Sequence, residues 1–220
     1  FIVPGHYSIT TLIIVNNPSS CPLWLATSSP RRYELLQQAG FAIAGQATKP
    51  EVDERLRPEE SARQACLRLA KAKYRAAARI FDFADNRVLL AADTLVADPD
   101  GQPLGKPKTH DEARSMLKRL SGQVHAVYTA VTLGNRQLSE TILASAWVEF
   151  IQLDEHIIES YIATGEPFDK AGGYGLQGFG GVLVREIRGE TGTVVGWPLC
   201  QGTAQLAGFG VYPNWLAAVN

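Results

Sequence analysis

The stretch LATSSPRRYELLQQAG, residues 25–40, predicts a strand, a tight turn and a helix in close succession. Ser29 stands where a helix N-cap is expected, and Pro30 takes the first helical position, where a missing N–H does no harm. Free backbone N–H groups at a helix start attract an anion, and Arg31 and Arg32 add forked donors that match phosphate oxygens. The stretch therefore indicates either a phosphate-binding turn or a capped surface helix with two solvated arginines.

Composition and charge limit the class of protein. The chain has 220 residues, of which 45% are hydrophobic and 20% charged, enough for one globular domain with a real core. A net charge of -1 argues against a nucleic-acid binder, and no apolar run reaches the length of a membrane span. Cys21, Cys66 and Cys200 lie far apart and outside any CxxC pattern. We therefore expect a cytoplasmic protein with reduced thiols, Cys66 in its core, and neither a disulfide framework nor a zinc site.

The order of patterns along the chain predicts the organisation of the domain. We expect an N-terminal extension over residues 1–21, a domain over 22–208 and a C-terminal tail over 209–220; the extension lacks the basic start of a signal peptide. Helical and strand patterns alternate, which predicts an α/β or α+β domain with a mixed sheet. The predicted elements are a helix from about Pro58 to Phe81, a buried strand over Val88–Val96, a helix capped by Thr109 and ending at Leu120, paired strands over Val124–Leu133 and Thr141–Leu153, a helix over Asp154–Thr164, a glycine-rich loop over 165–181, a strand over Val182–Ile187 and a helix over Pro198–Leu206.

Asp93 is the sharpest candidate for a reacting group. The apolar residues Val88–Ala92 lead directly into it, so we expect it at or near the end of a buried strand. A carboxylate there is costly unless it is paired, hydrogen-bonded or bound to a cation. The pattern favours a functional acid over an aspartate that caps a turn, and Thr94 places a hydroxyl beside it.

Two other polar positions leave a binding and a structural interpretation open. Glu54 precedes the long helix. It is either a second carboxylate for a divalent cation or an ordinary acidic residue favoured by the helix dipole. Lys106 stands between Gly105 and Pro107 in a turn, where it contacts a phosphate or is simply solvated.

The loop EPFDKAGGYGLQGFGG, residues 166–181, holds six glycines within residues 172–181. Such density lets a backbone approach a flat ligand or a phosphate closely, although a mobile loop without a ligand has the same composition. Gln177 carries a donor and an acceptor suited to a base edge, and Tyr174 or Phe179 offers a ring for stacking. We therefore favour a binding loop.

Taken together, these segments resemble the Maf family of nucleoside triphosphate pyrophosphatases from about Leu23 to Leu199. LATSSPRRYELL is similar to the opening signature of the family, AADTLV to its catalytic strand, GKPKTHDEARSML to its lysine turn and DKAGGYGLQGFGG to its base-side loop. The sequence departs from the family pattern at Ser28, where glycine is common, and at Trp197, where leucine is usual.

The resemblance implies both a fold and a reaction. The implied fold is an elongated mixed sheet flanked by helices, with two lobes and a central cleft, similar to inosine-triphosphate pyrophosphatases. The implied reaction is hydrolysis of a nucleoside triphosphate to the monophosphate and pyrophosphate with a divalent cation, Mg²⁺ or Mn²⁺. The KAGGYGLQG loop is similar to that of the subgroup that prefers dTTP and UTP. A homodimer, removal of noncanonical nucleotides and a link to cell-division arrest are implied by the family alone.

The resemblance also implies roles for individual residues. Asp93 matches the general base, and Glu54 with Asp93 would hold the cation. The specificity positions are Arg31, Thr94 and Gln177, and the remaining polar site positions are Ser29, Arg32, Lys73 and Lys106.

Three other functions compete with this interpretation. A purine substrate, such as 7-methyl-GTP, would keep the reaction but requires a different loop from the one at residues 170–178. A nucleotide-binding regulator of division with little turnover conflicts with the intact Asp93, Lys73 and Lys106. A single-stranded nucleic-acid binder conflicts with the near-neutral charge and the lack of an aromatic and basic stripe.

Overall fold

A computed structural model describes residues 20–216 of the chain. Helices and strands alternate through this part, with short 3-10 turns between several of them. In chain order they are β1 (Leu23–Leu25), α1 (Pro30–Gln38), β2 (Ile43–Gln46), α2 (Ala62–Ala78), β3 (Val88–Ala97), β4 (Pro103–Leu104), α3 (His110–Leu120), β5 (Val124–Gly134), β6 (Ser139–Phe150), α4 (Glu155–Ala163), β7 (Val184–Arg188), α5 (Thr191–Val195) and α6 (Leu199–Gly208).

Three long strands, β3, β5 and β6, form the centre of one mixed sheet. The strand order is β2-β1-β3-β5-β6-β7, and β4 pairs with the last residues of β3. Strand β1 runs parallel to both β2 and β3, whereas β3, β5, β6 and β7 are paired antiparallel. The predicted mixed sheet flanked by helices is confirmed.

The side chains of β3 alternate between two covered faces. Leu89 and Ala91 pack in one cluster with Tyr74 of α2, whereas Leu90 and Ala92 point to the other face. Because side chains point to opposite faces of a strand in turn, a strand covered on both sides needs a continuous apolar run. The run that begins at Val88 meets this need.

The face opposite α2 is divided into two hydrophobic clusters, which form the predicted two lobes. One cluster surrounds Leu36 of α1 and Leu206 of α6, packed on the first half of β3. The other surrounds Leu117 of α3 and Ile162 of α4, packed on the final part of β3 and on β6. The long central strands run through both lobes and leave room for a cleft between them.

Local hydrogen bonds explain where the helices begin. The hydroxyls of Ser29, Ser61 and Thr109 each accept a bond from a backbone N–H in the first turn, as does the carboxylate of Asp154. Helix α2 starts at Ala62, not near Pro58 as predicted, because the capping box of Ser61 fixes its start. Of the helices within residues 20–216, none is both long and apolar enough to cross a membrane.

The two-residue strand β4 is absent from the predicted elements, and further differences lie after β6. The last strand runs from Val184 to Arg188, and the glycine-rich loop folds into short 3-10 turns. The short helix α5 differs from the prediction, since one glycine and four β-branched residues give it a weak helical pattern.

Residues on both sides of the predicted domain boundaries pack against the domain. Ser20 and Cys21 bond to Tyr212 and Gly210, and Val211 is buried in the cluster that contains Leu206. Trp215 donates its indole N–H to the carbonyl of Ala39, after α1. Most of the predicted N-terminal extension, residues 1–19, and the last part of the tail, residues 217–220, lie outside the described residues.

Candidate active site

A cleft of about 1050 Å³ opens along one edge of β3. Strand β1 covers this edge only as far as Leu90, and β4 covers it only from Val96 onward. Between them the β3 edge faces the cleft, where Asp93 lies four residues before the end of the strand. The expectation that Asp93 stands at or near the strand end is corrected: it lies within the strand, where a gap between neighbouring strands lets it line the cleft while it stays largely buried.

The cleft gathers residues that are widely separated in the chain. The first turn, the segment before α2, helix α2, strand β3, the turn after β4 and the glycine-rich loop all contribute to its walls. The lining residues include every predicted site residue: Ser29, Arg31, Arg32, Glu54, Lys73, Asp93, Thr94, Lys106 and Gln177.

Two carboxylates and one ammonium group form the acidic wall of the cleft. The Nζ of Lys73 lies 2.5 Å from Oδ1 of Asp93 and 2.9 Å from Oε1 of Glu54. Asp93 is only 8% exposed, and burial raises the pKa of its carboxyl, against the opposing effects of Lys73 and Arg32. Burial alone lowers the pKa of Lys73, but the two carboxylates outweigh it and raise that pKa above its usual value. The arrangement presents a carboxylate of raised basicity beside a fixed cation.

The two predicted metal ligands therefore share one ammonium group. Within residues 20–216, no group of three or more His, Cys, Asp or Glu side chains is placed to hold a metal ion. Mg²⁺ commonly takes one or two carboxylates, several waters and the oxygens of substrate phosphates. Asp93 and Glu54 fit that pattern, in which the substrate supplies part of the coordination.

Arg32 supplies a buried positive charge to the cleft, beside Thr94. Its guanidinium donates to Gly196 O at 2.8 Å, to Thr27 Oγ1 at 2.5 Å and to Thr94 Oγ1 at 3.4 Å. These acceptors are all neutral, and burial lowers the pKa of Arg32 to about 10. A guanidinium that is 4% exposed and bonded only to neutral oxygens in the described residues is well suited to an anion.

The hydroxyl of Thr94 belongs to the same network. Thr94 Oγ1 lies 2.9 Å from Thr129 Oγ1, and Thr129 donates to the carbonyl of Thr193 at 2.7 Å. Because Thr94 follows Asp93 on a strand, its side chain points away from α2 and towards Arg32. Thr94 thus orients Arg32, in addition to lining the cleft.

Replacing Arg32 with lysine should lower kcat/KM for a triphosphate substrate about 10²-fold, because lysine cannot reproduce the forked contacts that fix the charge. Steady-state kinetics of Arg32→Lys beside Arg63→Lys, an exposed position on α2, would measure the loss. Equal activity of the two variants would contradict an anion-binding role for Arg32.

The other predicted phosphate contacts differ in how firmly they are held. Ser29 uses its hydroxyl to cap α1, accepting from the N–H of Arg32 at 3.4 Å, as predicted. Arg31 is partly exposed, and Lys106 is exposed in the turn between β4 and α3. Both cations line the cleft and are less buried than Arg32.

The glycine-rich loop forms a second wall with Gln177 exposed at its end. On this loop the cleft is lined by residues 169–171 and 174–177, which leaves Phe179, 66% exposed, beyond the wall. Tyr174 is buried, with its hydroxyl 2.8 Å from Nε2 of His125 and its ring packed edge-on against His125 and Phe150. Stacking of a base on Tyr174 was a wrong expectation, because its ring belongs to the core.

His125 is the buried partner that holds Tyr174 in place. Burial lowers the pKa of His125 to about 4, so the ring is neutral near pH 7 and acts as a fixed hydrogen-bonding group. The sequence gives no signal for this role of His125, because the four histidines of the chain are scattered and share no common pattern.

Sequence analysis also missed the side chains that shape two loop segments of the site. Arg68 binds both carboxylate oxygens of Glu60 at 2.7 Å and the carbonyl of Arg55 at 3.0 Å, which fixes the segment that carries Glu54. Glu166 accepts three hydrogen bonds around the glycine-rich loop. In the sequence, Glu166 stands out only through the turn-like Thr-Gly-Glu-Pro pattern at the start of the loop. That pattern does not show which groups Glu166 binds.

Comparison with known proteins identifies the family of this chain. The family described as Maf-like protein matches residues 22–209. A dTTP/UTP pyrophosphatase of Pasteurella multocida is 43% identical over 194 residues, covering 86% of this chain and 96% of the relative. A dTTP/UTP pyrophosphatase of Pseudoalteromonas atlantica is 46% identical over 178 residues, covering 80% and 91%. A nucleoside triphosphate pyrophosphatase of Haemophilus ducreyi is 44% identical over 187 residues, covering 84% and 93%.

Among solved structures, the Staphylococcus aureus Ham1 protein aligns with a TM-score of 0.40 at 13% identity, over 89% of this chain and 93% of that one. The family match spans most of the chain and includes the whole cleft, and the chain belongs to the Maf family.

Proposed function

We propose that this protein hydrolyses nucleoside triphosphates between the α and β phosphates, with a preference for dTTP and UTP. The observation that carries the proposal is the cleft itself, which is lined both by the Asp93–Lys73–Glu54 group and by the buried charge of Arg32. The names of relatives at 43–46% identity support the substrate class.

Asp93 acts as the general base in this proposal. It takes a proton from a water, the water oxygen bonds to a phosphorus of the α–β bridge, and the bridging P–O bond breaks to release pyrophosphate. A raised pKa makes the ionised Asp93 a stronger base, and the rigid central strand holds it in place.

The basic residues neutralise the charge that develops on the phosphates. Arg32 and Lys73 are fixed by their contacts before substrate arrives, so they need little rearrangement as charge develops on the phosphates. Arg31, Lys106 and the first turn at Ser29 complete the phosphate site. Glu54 and Asp93 would hold a divalent cation, which when bound screens the triphosphate charge and activates water.

The glycine-rich loop selects the nucleobase in this proposal. The exposed amide of Gln177 reads a base edge, and Thr94 contributes through the orientation of Arg32. Cytoplasmic location, a homodimer, the absence of nucleic-acid partners and a link to cell division stay predictions from the sequence.

Pyrophosphate release from a panel of triphosphates tests the proposal. We expect the highest kcat/KM with dTTP, UTP or a modified pyrimidine relative, and dependence on added Mg²⁺ or Mn²⁺. Preference for GTP or 7-methyl-GTP would retain the reaction but overturn the proposed preference for a pyrimidine nucleobase. Binding of triphosphates without pyrophosphate release would favour a regulator over an enzyme.

A further inference from the structure

Two side chains behind the cleft wall hold the glycine-rich loop in one conformation. Glu166 lies at the start of the loop, ahead of the first lining residue, Asp169, and Tyr161 is buried on α4. Neither side chain belongs to the chemistry described above.

The carboxylate of Glu166 and the hydroxyl of Tyr161 form a connected pair. Tyr161 donates to Oε1 of Glu166 at 2.9 Å and accepts from the N–H of Gly175 at 3.2 Å. Glu166 also accepts from the N–H of Phe179 at 2.8 Å and from the N–H of Gly180 at 3.0 Å. The pair thus binds three backbone N–H groups. That of Gly175 lies two residues before Gln177, and those of Phe179 and Gly180 lie two and three residues after it.

The glycines of the loop fit this pair closely. A Cβ at Gly178 would collide with the carboxylate of Glu166, and a Cβ at Gly180 would lie 2.6 Å from the hydroxyl of Tyr161. Glycine is needed at both positions because the backbone runs directly against the two side chains. Two of the six glycines of the loop, Gly178 and Gly180, therefore serve the contact with Glu166 and Tyr161.

We propose that Glu166 and Tyr161 are positioning residues that set nucleobase selectivity by fixing the backbone on both sides of Gln177. This inference rests on the proposed function and adds a physical origin for its selectivity. A loop held at residues 175, 179 and 180 presents the Gln177 amide in one place, so a matching base gains more than a mismatched one.

A double-mutant cycle between Glu166→Gln and Gln177→Ala tests the proposal. The Glu166→Gln substitution would keep the shape of the side chain but turn an NH₂ towards a backbone N–H that needs an acceptor. The measurement is kcat and KM for dTTP and GTP, with Tyr161→Phe as a second variant if Glu166→Gln does not fold. Glu186→Gln, at an exposed ion pair with Arg188 on β7, and Tyr212→Phe serve as matched controls.

We expect Glu166→Gln to lower the dTTP-over-GTP ratio of kcat/KM about tenfold, mainly through KM for dTTP. Tyr161→Phe should act in the same direction, and Gln177→Ala should lower the ratio in the wild type but not further in Glu166→Gln. Two results would overturn this inference alone. In the first, the wild type selects dTTP and Glu166→Gln keeps the same dTTP-over-GTP ratio of kcat/KM. In the second, the effects of Glu166→Gln and Gln177→Ala on that ratio are fully additive. Absence of triphosphate hydrolysis by the wild type would overturn the proposed function and the inference together.

Discussion

Asp93→Asn should lower kcat for triphosphate hydrolysis about 10²–10⁴-fold, the range supplied by a positioned general base. Asparagine has nearly the same shape and keeps an oxygen for Lys73, so the sheet and the cleft should remain intact. Its amide cannot take a proton from water at neutral pH. Affinity for the triphosphate should therefore survive while turnover is lost.

Single-turnover kinetics and substrate binding, measured separately, check this expectation. Asp100→Asn is the matched control, because Asp100 is exposed in the turn after β3. Activity of Asp93→Asn within a few-fold of the wild type would contradict the assignment of Asp93 as base.

The pH profile gives the same assignment an independent test. Because burial raises the pKa of Asp93, its protonated, inactive form persists to higher pH than for an ordinary aspartate. Activity should fall as the pH drops through the pKa of Asp93, because protonation removes the base and gives the profile an acid limb. Residual activity in Asp93→Asn should lack that limb.

Lys73→Met should lower kcat/KM about 10²–10³-fold, because it removes the cation fixed between Asp93 and Glu54. Methionine has a similar length and apolar stem, so it fills the space without the charge. Without the ammonium, burial acts on Asp93 with less opposition, and the pKa of its carboxyl should rise further.

The acid limb of the Lys73→Met profile should accordingly move to higher pH than in the wild type. Lys71→Met, two residues away on α2 and exposed, controls for loss of a positive charge on the helix. An unmoved acid limb in Lys73→Met would show that Lys73 does not set the protonation of the base, even if the rate falls.

Local patterns were sufficient to predict most of the fold. The helix starts at Ser29, Thr109 and Asp154 follow from side chains that bond to N–H groups three residues ahead. The apolar run from Val88 follows from burial of a strand on both faces. Such patterns involve neighbours in the chain, so no tertiary information is needed to interpret them. The start of α2 was placed too early, because the capping box at Ser61 competed with the acidic residues before it.

The candidate site was predicted as a set of residues but not as a geometry. Motifs located Asp93, Lys73 and Arg32 correctly on the cleft, yet their contacts span 20 to 164 positions of the chain. No local pattern links Arg32 to the carbonyl of Gly196 or places Lys73 between two carboxylates. The same limit explains why the sequence does not separate Tyr174 from Phe179 as a stacking ring, since the burial of Tyr174 depends on His125, 49 positions earlier.

The sequence by itself determined the α/β class, the helix caps, the central strand and the resemblance that placed the chain in its family. Those features depend on periodicity, on capping and on motifs of adjacent residues. The tertiary structure alone decided where the sheet edge opens, which cation meets Asp93 and how Glu166 reaches the far side of its loop. The physical reason is that the strength of a charge or a hydrogen bond depends on distance and burial in space, which separation along the chain does not define.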